Sequence, residues 1–336
     1  MVKLAIAGMG YIGKVHYDAS RKVTGARVAA VCTSRPDIAQ QHCDSEVRVY
    51  QNYHDMLVES RPDAVIVCVP TFLHEKYVIE ALSHGCQVLC EKPFAMNRLG
   101  AEKMVEAKNR AGALLMVAQV LRFWPQYVEI KRMLGQGKLG SVHAVHAHRF
   151  ATFPAWGSWF RDPAKSGGCL LDLQVHDVDY AYWLLGSPRE IRTVGIRSEN
   201  GRWDHVSTTL RCGSAVATIE SSFLMPDSWP FSCSVQVTGT QAAAEYNFRV
   251  SGNISRREQA VDELVLYSIG SSACRVDIRR EDMYVAQLRH FVDCVKENQD
   301  SNVSPLQQSL EVMGIMDASL QSAETGKPVT LDHSTH

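Results

Sequence analysis

The sequence predicts two domains: an N-terminal α/β domain with a doubly wound parallel sheet, and a C-terminal α+β domain with an open, mostly antiparallel sheet. With 336 residues, the chain is too long for one ordinary compact core. Strand-like and helix-like segments alternate through residues 3–118, whereas short polar/apolar alternations fill much of 192–268. We expect the first domain at 1–120, the second at 121–331 and a loose tail at 332–336.

The composition indicates a soluble globular protein with a small-molecule partner. Hydrophobic residues make up 46% of the chain, charged residues 21%, and the net charge is −1. This charge gives no electrostatic reason to expect a nucleic acid or membrane partner. The N-terminus lacks a signal-peptide pattern and no run of about 18 apolar residues follows, so we expect a cytoplasmic protein. The ten cysteines contain no Cys-x-x-Cys pair, which suits reduced, buried thiols.

A glycine-rich turn follows the first predicted strand, Lys3–Ala7, and precedes a predicted helix over 14–22. In this strand-to-helix context, a G-x-G-x-x-G motif permits a tight turn and brings a pyrophosphate close to the helix N-terminus. We therefore predict a Rossmann domain that binds a dinucleotide, although a glycine-rich turn without a ligand is the alternative. The predicted cofactor contacts in this turn are Gly8, Gly10, Tyr11, Ile12 and Gly13.

The second predicted strand, Arg27–Cys32, is followed by no acidic residue until Asp37. An acid at this position usually holds the ribose 2′-OH of NAD, whereas a neutral residue near an arginine accommodates the 2′-phosphate of NADP. We predict that Thr33, Ser34 and Arg35 bind the cofactor, with NADP favoured over NAD. The same residues also resemble an ordinary helix N-terminus, so NAD remains open.

Two more loops follow predicted buried strands, at 64–69 and 87–90. Ligands of open α/β sheets bind at this carboxyl edge of the strands. A lysine there could exchange a hydrogen bond or a proton with a substrate hydroxyl, although a surface salt bridge between Glu91 and Lys92 is the alternative. The predicted cofactor contacts in these loops are Pro70, Thr71, His74, Glu91 and Lys92. A helix over 99–111 and a strand over 114–118 continue the alternation.

The second domain is predicted to begin with a helix over 122–134 and a strand over 142–150. His146 and His148 share one face of that strand, but no carboxylate or cysteine is nearby in sequence, so we predict no metal site. The loop that follows could pack on a sugar ring and bond its hydroxyls, or contact another subunit. Its candidate substrate-binding residues are Trp156, Trp159 and Arg161.

A helix over 167–185 is predicted to carry proton-handling side chains, because apolar residues recur at helical spacing between two glycines and Gly186. Asp172, His176 and Asp179 stand at i, i+4 and i+7 and therefore share one face. A carboxylate beside an imidazole can transfer protons, although such a pair can also be merely solvated.

The remaining sequence predicts an antiparallel sheet over 192–268 with one polar face, and helices over 283–297 and 305–324. A sheet with so much exposed area favours pairing with another copy. We therefore expect a homodimer or homotetramer.

Four motifs together resemble the glucose-fructose oxidoreductase, inositol dehydrogenase and rhizopine catabolism family, called Gfo/Idh/MocA. Their order and spacing match those of the family, and the resemblance covers essentially the whole chain. It implies a Rossmann domain and an α+β domain whose open sheet often forms dimers or tetramers. It also implies oxidation or reduction of a secondary alcohol of a sugar, cyclitol or related polyol with NAD(H) or NADP(H). The motifs are Gly8-x-Gly10-x-x-Gly13-x-x-His16, Pro70-x-x-x-His74, Glu91-Lys92-Pro93 and Gly167-Gly168-x-x-x-Asp172-x-x-x-His176-x-x-Asp179.

The resemblance implies three catalytic residues that also bind substrate: Lys92, Asp172 and His176. Lys92 would touch the reacting oxygen. His176 would be the general base in oxidation and the acid in reduction, because an imidazole titrates near neutral pH. Asp172 would hold a substrate hydroxyl and orient or charge-balance His176. Arg122 would lie close to the cofactor.

Two positions depart from the family pattern. Cys169 stands where a third glycine is frequent, which predicts a more crowded substrate pocket, and Thr33 stands where many NAD-using members have an acid. An alternative function is a glycosidase that uses a tightly held NAD for transient oxidation of a sugar hydroxyl. A sensor that binds NAD(P) without chemistry is disfavoured, because the three residues with implied catalytic roles are all present.

Overall fold

The computed structural model describes residues 1–154, 157–250 and 261–331. Contacts divide the chain into two compact units, one formed by Met1–Phe123 with Glu281–Met313 and the other by Trp124–Arg280 with Gly314–His336. The sequence placed all residues after 120 in the second domain, so the packing of 281–313 with the N-terminal residues is an addition to the predicted organisation. The domain boundaries 1–120 and 121–331 stay a prediction.

The helices and strands have the following bounds. In the N-terminal part they are β1 (Val2–Ala7), α1 (Tyr11–Ser20), β2 (Ala26–Cys32), α2 (Pro36–His42), β3 (Arg48–Tyr50), α3 (Tyr53–Ser60), β4 (Ala64–Val67), α4 (His74–Ser83), β5 (Gln87–Cys90), α5 (Arg98–Ala111) and β6 (Leu115–Val117). They continue as α6 (Pro125–Gly135), β7 (Val142–Thr152), α7 (Pro163–Ser166), α8 (Gly168–Asp172), α9 (Gln174–Leu185), β8 (Glu190–Arg197), β9 (Trp203–Cys212) and β10 (Ala215–Met225). The last are β11 (Phe231–Gly239), β12 (Ala242–Val250), β13 (Val261–Ser268), β14 (Cys274–Arg275), α10 (Met283–Glu297), α11 (Leu306–Thr325) and β15 (Val329–Thr330).

The first unit contains a six-stranded sheet in the order β3-β2-β1-β4-β5-β6, and all of its strand pairs are parallel. This is the order of a doubly wound dinucleotide-binding sheet, whose ligand lies where the strand order reverses. Strands β1 and β4 adjoin at that reversal point. The last residue of β1 and the residue that follows β4 are joined by a hydrogen bond from Cys68 N to Ala7 O, 2.7 Å long. The predicted α/β fold is therefore confirmed.

Helix α10 belongs to the hydrophobic core of this first unit. Its buried side chains include Leu288, Phe291 and Val292, each 0% exposed, whose spacing gives one apolar helix face. The Asp282 carboxylate caps the helix by accepting from Tyr284 N at 2.9 Å. The predicted helix over 283–297 is confirmed, but its sequence position gave no sign of its place in the first unit.

The second unit contains a nine-stranded sheet in the order β14-β13-β12-β11-β7-β10-β9-β8-β15. Among its described strands only β7 and β10 pair in parallel, so the predicted mostly antiparallel sheet is confirmed. On β7, Val145, Ala147 and Arg149 are buried on the face covered by α9. The alternate residues His146 and His148 lie on the open face.

The predicted single helix over 167–185 is in fact two helices, α8 and α9, separated at Leu173. Leu173 remains in the right-handed region at φ −92° and ψ −49°. The turn is nevertheless tightened, because the His176 N–H donates to the Leu173 carbonyl at 3.4 Å. The buried Gln174 side chain is fixed to the sheet, since its Oε1 accepts from Thr208 Oγ1 at 2.9 Å. Tertiary hydrogen bonds therefore override the continuous helical periodicity. Within the described residues, no helix is long and apolar enough to cross a membrane.

Candidate functional site

The glycine-rich turn lies at the end of β1, where two of its glycines are required by packing. Gly8 has φ +99°, and a Cβ atom on it would lie 2.6 Å from Cys68 O. A Cβ on Gly13 would lie 1.9 Å from Gly8 O. Gly10 differs, because a Cβ there would meet nothing within 4 Å. The turn thus leaves open space at the N-terminus of α1, where a pyrophosphate binds in this type of turn, so these residues fit a dinucleotide.

The first helical residues of α1 and the loop after β2 carry accessible side chains. Tyr11 is 41% exposed and Ile12 is half-buried at the start of α1. Thr33 Oγ1 accepts from Arg35 N at 3.2 Å, which fixes the backbone of the loop. Ser34 and Arg35 are both exposed, so their hydroxyl and guanidinium groups are accessible.

The loop after β4 is held by His74. The His74 ring is 1% exposed, with Nδ1 2.8 Å from Pro93 O and Nε2 2.9 Å from Val69 O. Burial lowers the pKa of His74, although both flanking carbonyls favour the charged ring. The ring ties the loops after β4 and β5 together. Pro70 is half-buried and Thr71 is buried beside it, and direct cofactor contacts by these three residues stay predictions.

The loop after β5 contains a buried acid next to the predicted catalytic lysine. Glu91 is 6% exposed, and its Oε1 lies 2.6 Å from Nε2 of the fully buried His16. Its Oε2 accepts from the backbone N–H of Lys92 at 3.1 Å. The Lys92 side chain is half-buried and the Lys92–Pro93 peptide bond is cis. Glu91 is therefore buried rather than at the surface, and the role of the Lys92 side chain stays a prediction.

Arg122 is 1% exposed within the first unit. It donates to the Val303 carbonyl at 3.1 Å and to the Gln308 side chain. These bonds hold the segment that leads into α11. A place close to the cofactor stays a prediction for this residue.

In the second unit, the predicted catalytic residues lie on either side of the helix break. Asp172 ends α8 and His176 is in the first turn of α9, and both side chains are half-buried. Asp179, which was predicted to share their face, is 1% exposed. The catalytic roles of Asp172 and His176 stay predictions.

Directly after His176, Asp177 forms a buried ion pair. Both Asp177 oxygens accept from Arg149 at 2.8 Å, and the two residues are 1% and 3% exposed. Although burial opposes the charge, the Asp177 carboxylate holds the pKa of Arg149 well above its usual range. This bidentate pair fixes the start of α9 to β7.

Cys169 does not narrow a pocket in the way its replacement of glycine suggested. It is 0% exposed, and its thiol donates to the Ser221 carbonyl of β10 at 3.5 Å. Burial raises the pKa of this thiol well above its usual range. The side chain therefore packs against the sheet, and the predicted crowding is wrong.

The predicted sugar-binding loop is described from 157 onward, and Trp156 lies outside the described residues. Trp159 stacks on Phe160 with ring centroids 3.9 Å apart, and Arg161 is exposed with its guanidinium 5.5 Å from the Phe153 ring. Arg202 approaches the same ring at 4.3 Å. Substrate contacts by Trp159 and Arg161 stay predictions.

Four polar residues in the contacts described above were not given a role by the sequence. They are His16, Arg149, Asp177 and Arg202. His16 did appear in the family motif, and this was the only signal available for it. Partners such as Arg149 and Asp177 are 28 residues apart, and nothing local predicts their contact.

Comparison with known proteins agrees with these features. Residues 2–119 match the model of the oxidoreductase family with an NAD-binding Rossmann fold, and 127–245 match the Gfo/Idh/MocA C-terminal domain. The chain is 28% identical over 232 residues to D-glucoside 3-dehydrogenase of Escherichia coli, covering 68% of this chain and 65% of that protein. It is 32% identical over 191 residues to inositol 2-dehydrogenase of Paracoccus denitrificans, covering 55% and 54%. The match thus spans about half to two thirds of the length of these two relatives.

A solved structure supports the fold along the whole chain. Aldose-aldose oxidoreductase from Caulobacter crescentus, complexed with glycerol, superposes with a TM-score of 0.85 at 21% identity, covering 98% of this chain and 99% of that one. At this identity the match supports the fold alone. Together with the two family models, which match most of the chain, it leads to one conclusion: this protein belongs to the Gfo/Idh/MocA family of oxidoreductases.

Proposed function

We propose that this protein is an NAD(P)-dependent dehydrogenase or reductase that acts on a secondary alcohol or ketone of a sugar, cyclitol or related polyol. The observation that carries the proposal is the turn at the end of β1, where Gly8 and Gly13 are packed against backbone and Gly10 faces open space. A turn with tightly packed glycines and open space at the helix N-terminus is what the pyrophosphate of a dinucleotide requires. The relatives described above act on a glucoside and on inositol, which supports a polyol substrate.

The bound dinucleotide would supply the site that accepts or donates the hydride. In the proposed reaction, Lys92 donates a hydrogen bond to the reacting oxygen of the substrate. His176 Nε2 or Nδ1 removes the hydroxyl proton during oxidation and returns it during reduction. Asp172 accepts from a neighbouring substrate hydroxyl and so fixes the orientation of the ring. Trp156, Trp159 and Arg161 are proposed to contact the rest of the substrate.

The direct test is turnover of a panel of sugars and cyclitols by purified protein, followed at the nicotinamide absorbance. The glycosidase alternative is not favoured, because both relatives described above are dehydrogenases. It would be distinguished by cleavage of a glycoside without net change in that absorbance.

We further propose a preference for NADP over NAD, through Ser34 and Arg35. Both side chains are exposed in the loop after β2, and no acid stands at this loop before Asp37. An Arg35→Ala change should weaken NADPH binding by about 10- to 150-fold, because one charge-assisted contact to a phosphate is worth roughly 1.5–3 kcal/mol. NADH binding should change less than twofold. Fluorescence titration with both cofactors measures this, and equal losses for the two would contradict the preference.

We also propose that the protein is cytoplasmic. We further propose that it forms a homodimer or homotetramer through the open face of the nine-stranded sheet. The registers place three exposed apolar side chains on the same face of the sheet as His146 and His148: Val194 at 55%, Ile196 at 55% and Val216 at 38% exposed. A Val194→Glu change should shift the mass measured by light scattering toward the monomer, since a buried unpaired carboxylate opposes association. A monomeric wild-type protein would contradict the assembly.

A further inference from the structure

The backbone of Lys92 is held by a carboxylate that has two distinct partners. Glu91 Oε2 accepts from the Lys92 N–H at 3.1 Å, and Glu91 Oε1 accepts from His16 Nε2 at 2.6 Å. A carboxylate oxygen only accepts, so the imidazole N–H must be the donor in the second bond. His16 is 0% and Glu91 6% exposed, which means that water does not compete for either bond.

His16 is itself fixed by the helices around it. It lies on α1, one turn after Gly13 of the cofactor-binding turn, and its ring packs edge-on against Tyr284 of α10 at 5.8 Å. Among the residues that the structure describes, its Nδ1 has no hydrogen-bond partner. The bond to Glu91 is therefore the polar contact that orients this ring.

The residue after Lys92 has a separate anchor, because Pro93 O lies 2.8 Å from His74 Nδ1. The backbone of Lys92 is thus connected to buried histidines on both sides, to His16 through Glu91 and to His74 through Pro93. A side chain that reaches a substrate oxygen is placed by its backbone, and small displacements of such a group strongly reduce turnover.

We propose that His16 is a positioning residue for Lys92 and acts through the Glu91 carboxylate. This inference rests on the proposed function, in which Lys92 touches the reacting oxygen. It assigns the histidine of the turn motif a role in the chemical step, separate from the dinucleotide binding of the glycines. His16 makes no contact with substrate in this proposal.

The test is a double-mutant cycle between position 16 and Lys92. His16→Asn and His16→Gln are the matched pair: both are polar, but only the glutamine amide extends as far as Nε2 of histidine and can donate to Glu91. Each is made alone and with Lys92→Ala. The control is His42→Gln, since His42 also bonds a carboxylate, Asp18 at 3.0 Å, but at an exposed position. The measurements are kcat at saturating substrate, the dissociation constant of NAD(P)H, and the thermal midpoint.

We expect His16→Asn to lower kcat by about 10- to 100-fold, the size of loss that a misplaced group produces. Cofactor affinity should change less than threefold, and His16→Gln and His42→Gln should retain most of the activity. In the Lys92→Ala background, His16→Asn should lower kcat further by less than about threefold. The effects of residues that act through one another are not additive. The glutamine variant and the thermal midpoint separate this effect from a loss of folding.

Two results would overturn the proposal. An equal fold-loss from His16→Asn in both backgrounds, or an unchanged kcat in the native background, would contradict it while leaving the proposed function standing. A wild-type protein that binds NAD(P)H but turns over no polyol would overturn the proposed function and this inference with it.

Discussion

Replacing His176 by alanine is expected to lower kcat by about 10²- to 10⁴-fold, the usual contribution of a positioned acid–base group. The dissociation constant for NAD(P)H should remain within about twofold, because His176 is proposed to act on the substrate hydroxyl and is not among the proposed cofactor contacts. Steady-state kinetics at the nicotinamide absorbance and a fluorescence titration measure the two quantities.

The matched control for this change is His143→Ala. His143 is an exposed histidine on β7 of the same unit and has no proposed role in binding or catalysis. It should retain wild-type kcat. A His176→Ala protein that turns over polyol at the wild-type rate would contradict the assignment of the proton-transfer group.

Replacing Asp177 by leucine is expected to lower the free energy of unfolding by about 3–5 kcal/mol. The change leaves the Arg149 guanidinium, 3% exposed, without the carboxylate that accepts from it at 2.8 Å. An unpaired buried charge is costly because it can neither reach water nor lose its proton easily. Urea-induced unfolding monitored by tryptophan fluorescence measures the change in the free energy of unfolding.

The control is the double variant Asp177→Leu with Arg149→Met. Removing both charges and filling the space with apolar atoms is often neutral or stabilising, so most of the lost stability should return. A loss below about 1 kcal/mol in the single variant would show that the pair contributes little and that α9 is held by its apolar contacts instead.

The first unit was predictable in outline because its signals are local. Buried strands appear as apolar runs such as 64–67, and the glycine motif marks the turn after β1. Strand β3 has only three residues, Arg48–Tyr50, and gave no periodicity that could be recognised. The place of α10 in the first unit depends on packing between distant segments, on which the sequence pattern carries no information.

The helix break and the buried polar contacts were not predictable for a similar reason. Apolar spacing continues through Leu173, whereas the side chains of Cys169 and Gln174, on either side of the break, are hydrogen-bonded to the sheet. The contact between His16 and Glu91 joins residues 75 positions apart. Residue types suited to the chemistry could be found from the sequence, whereas the contacts that hold them required the fold.

The most direct test of the proposed function begins with protein stripped of any ligand. Binding of NADPH and NADH is measured by fluorescence, and sugars and cyclitols are then screened for a change in nicotinamide absorbance. We predict saturable binding of both cofactors, tighter for NADPH, and substrate-dependent turnover on at least one polyol. A cofactor that cannot be removed, with glycoside cleavage and no net absorbance change on any polyol, would contradict a dehydrogenase and identify the glycosidase instead.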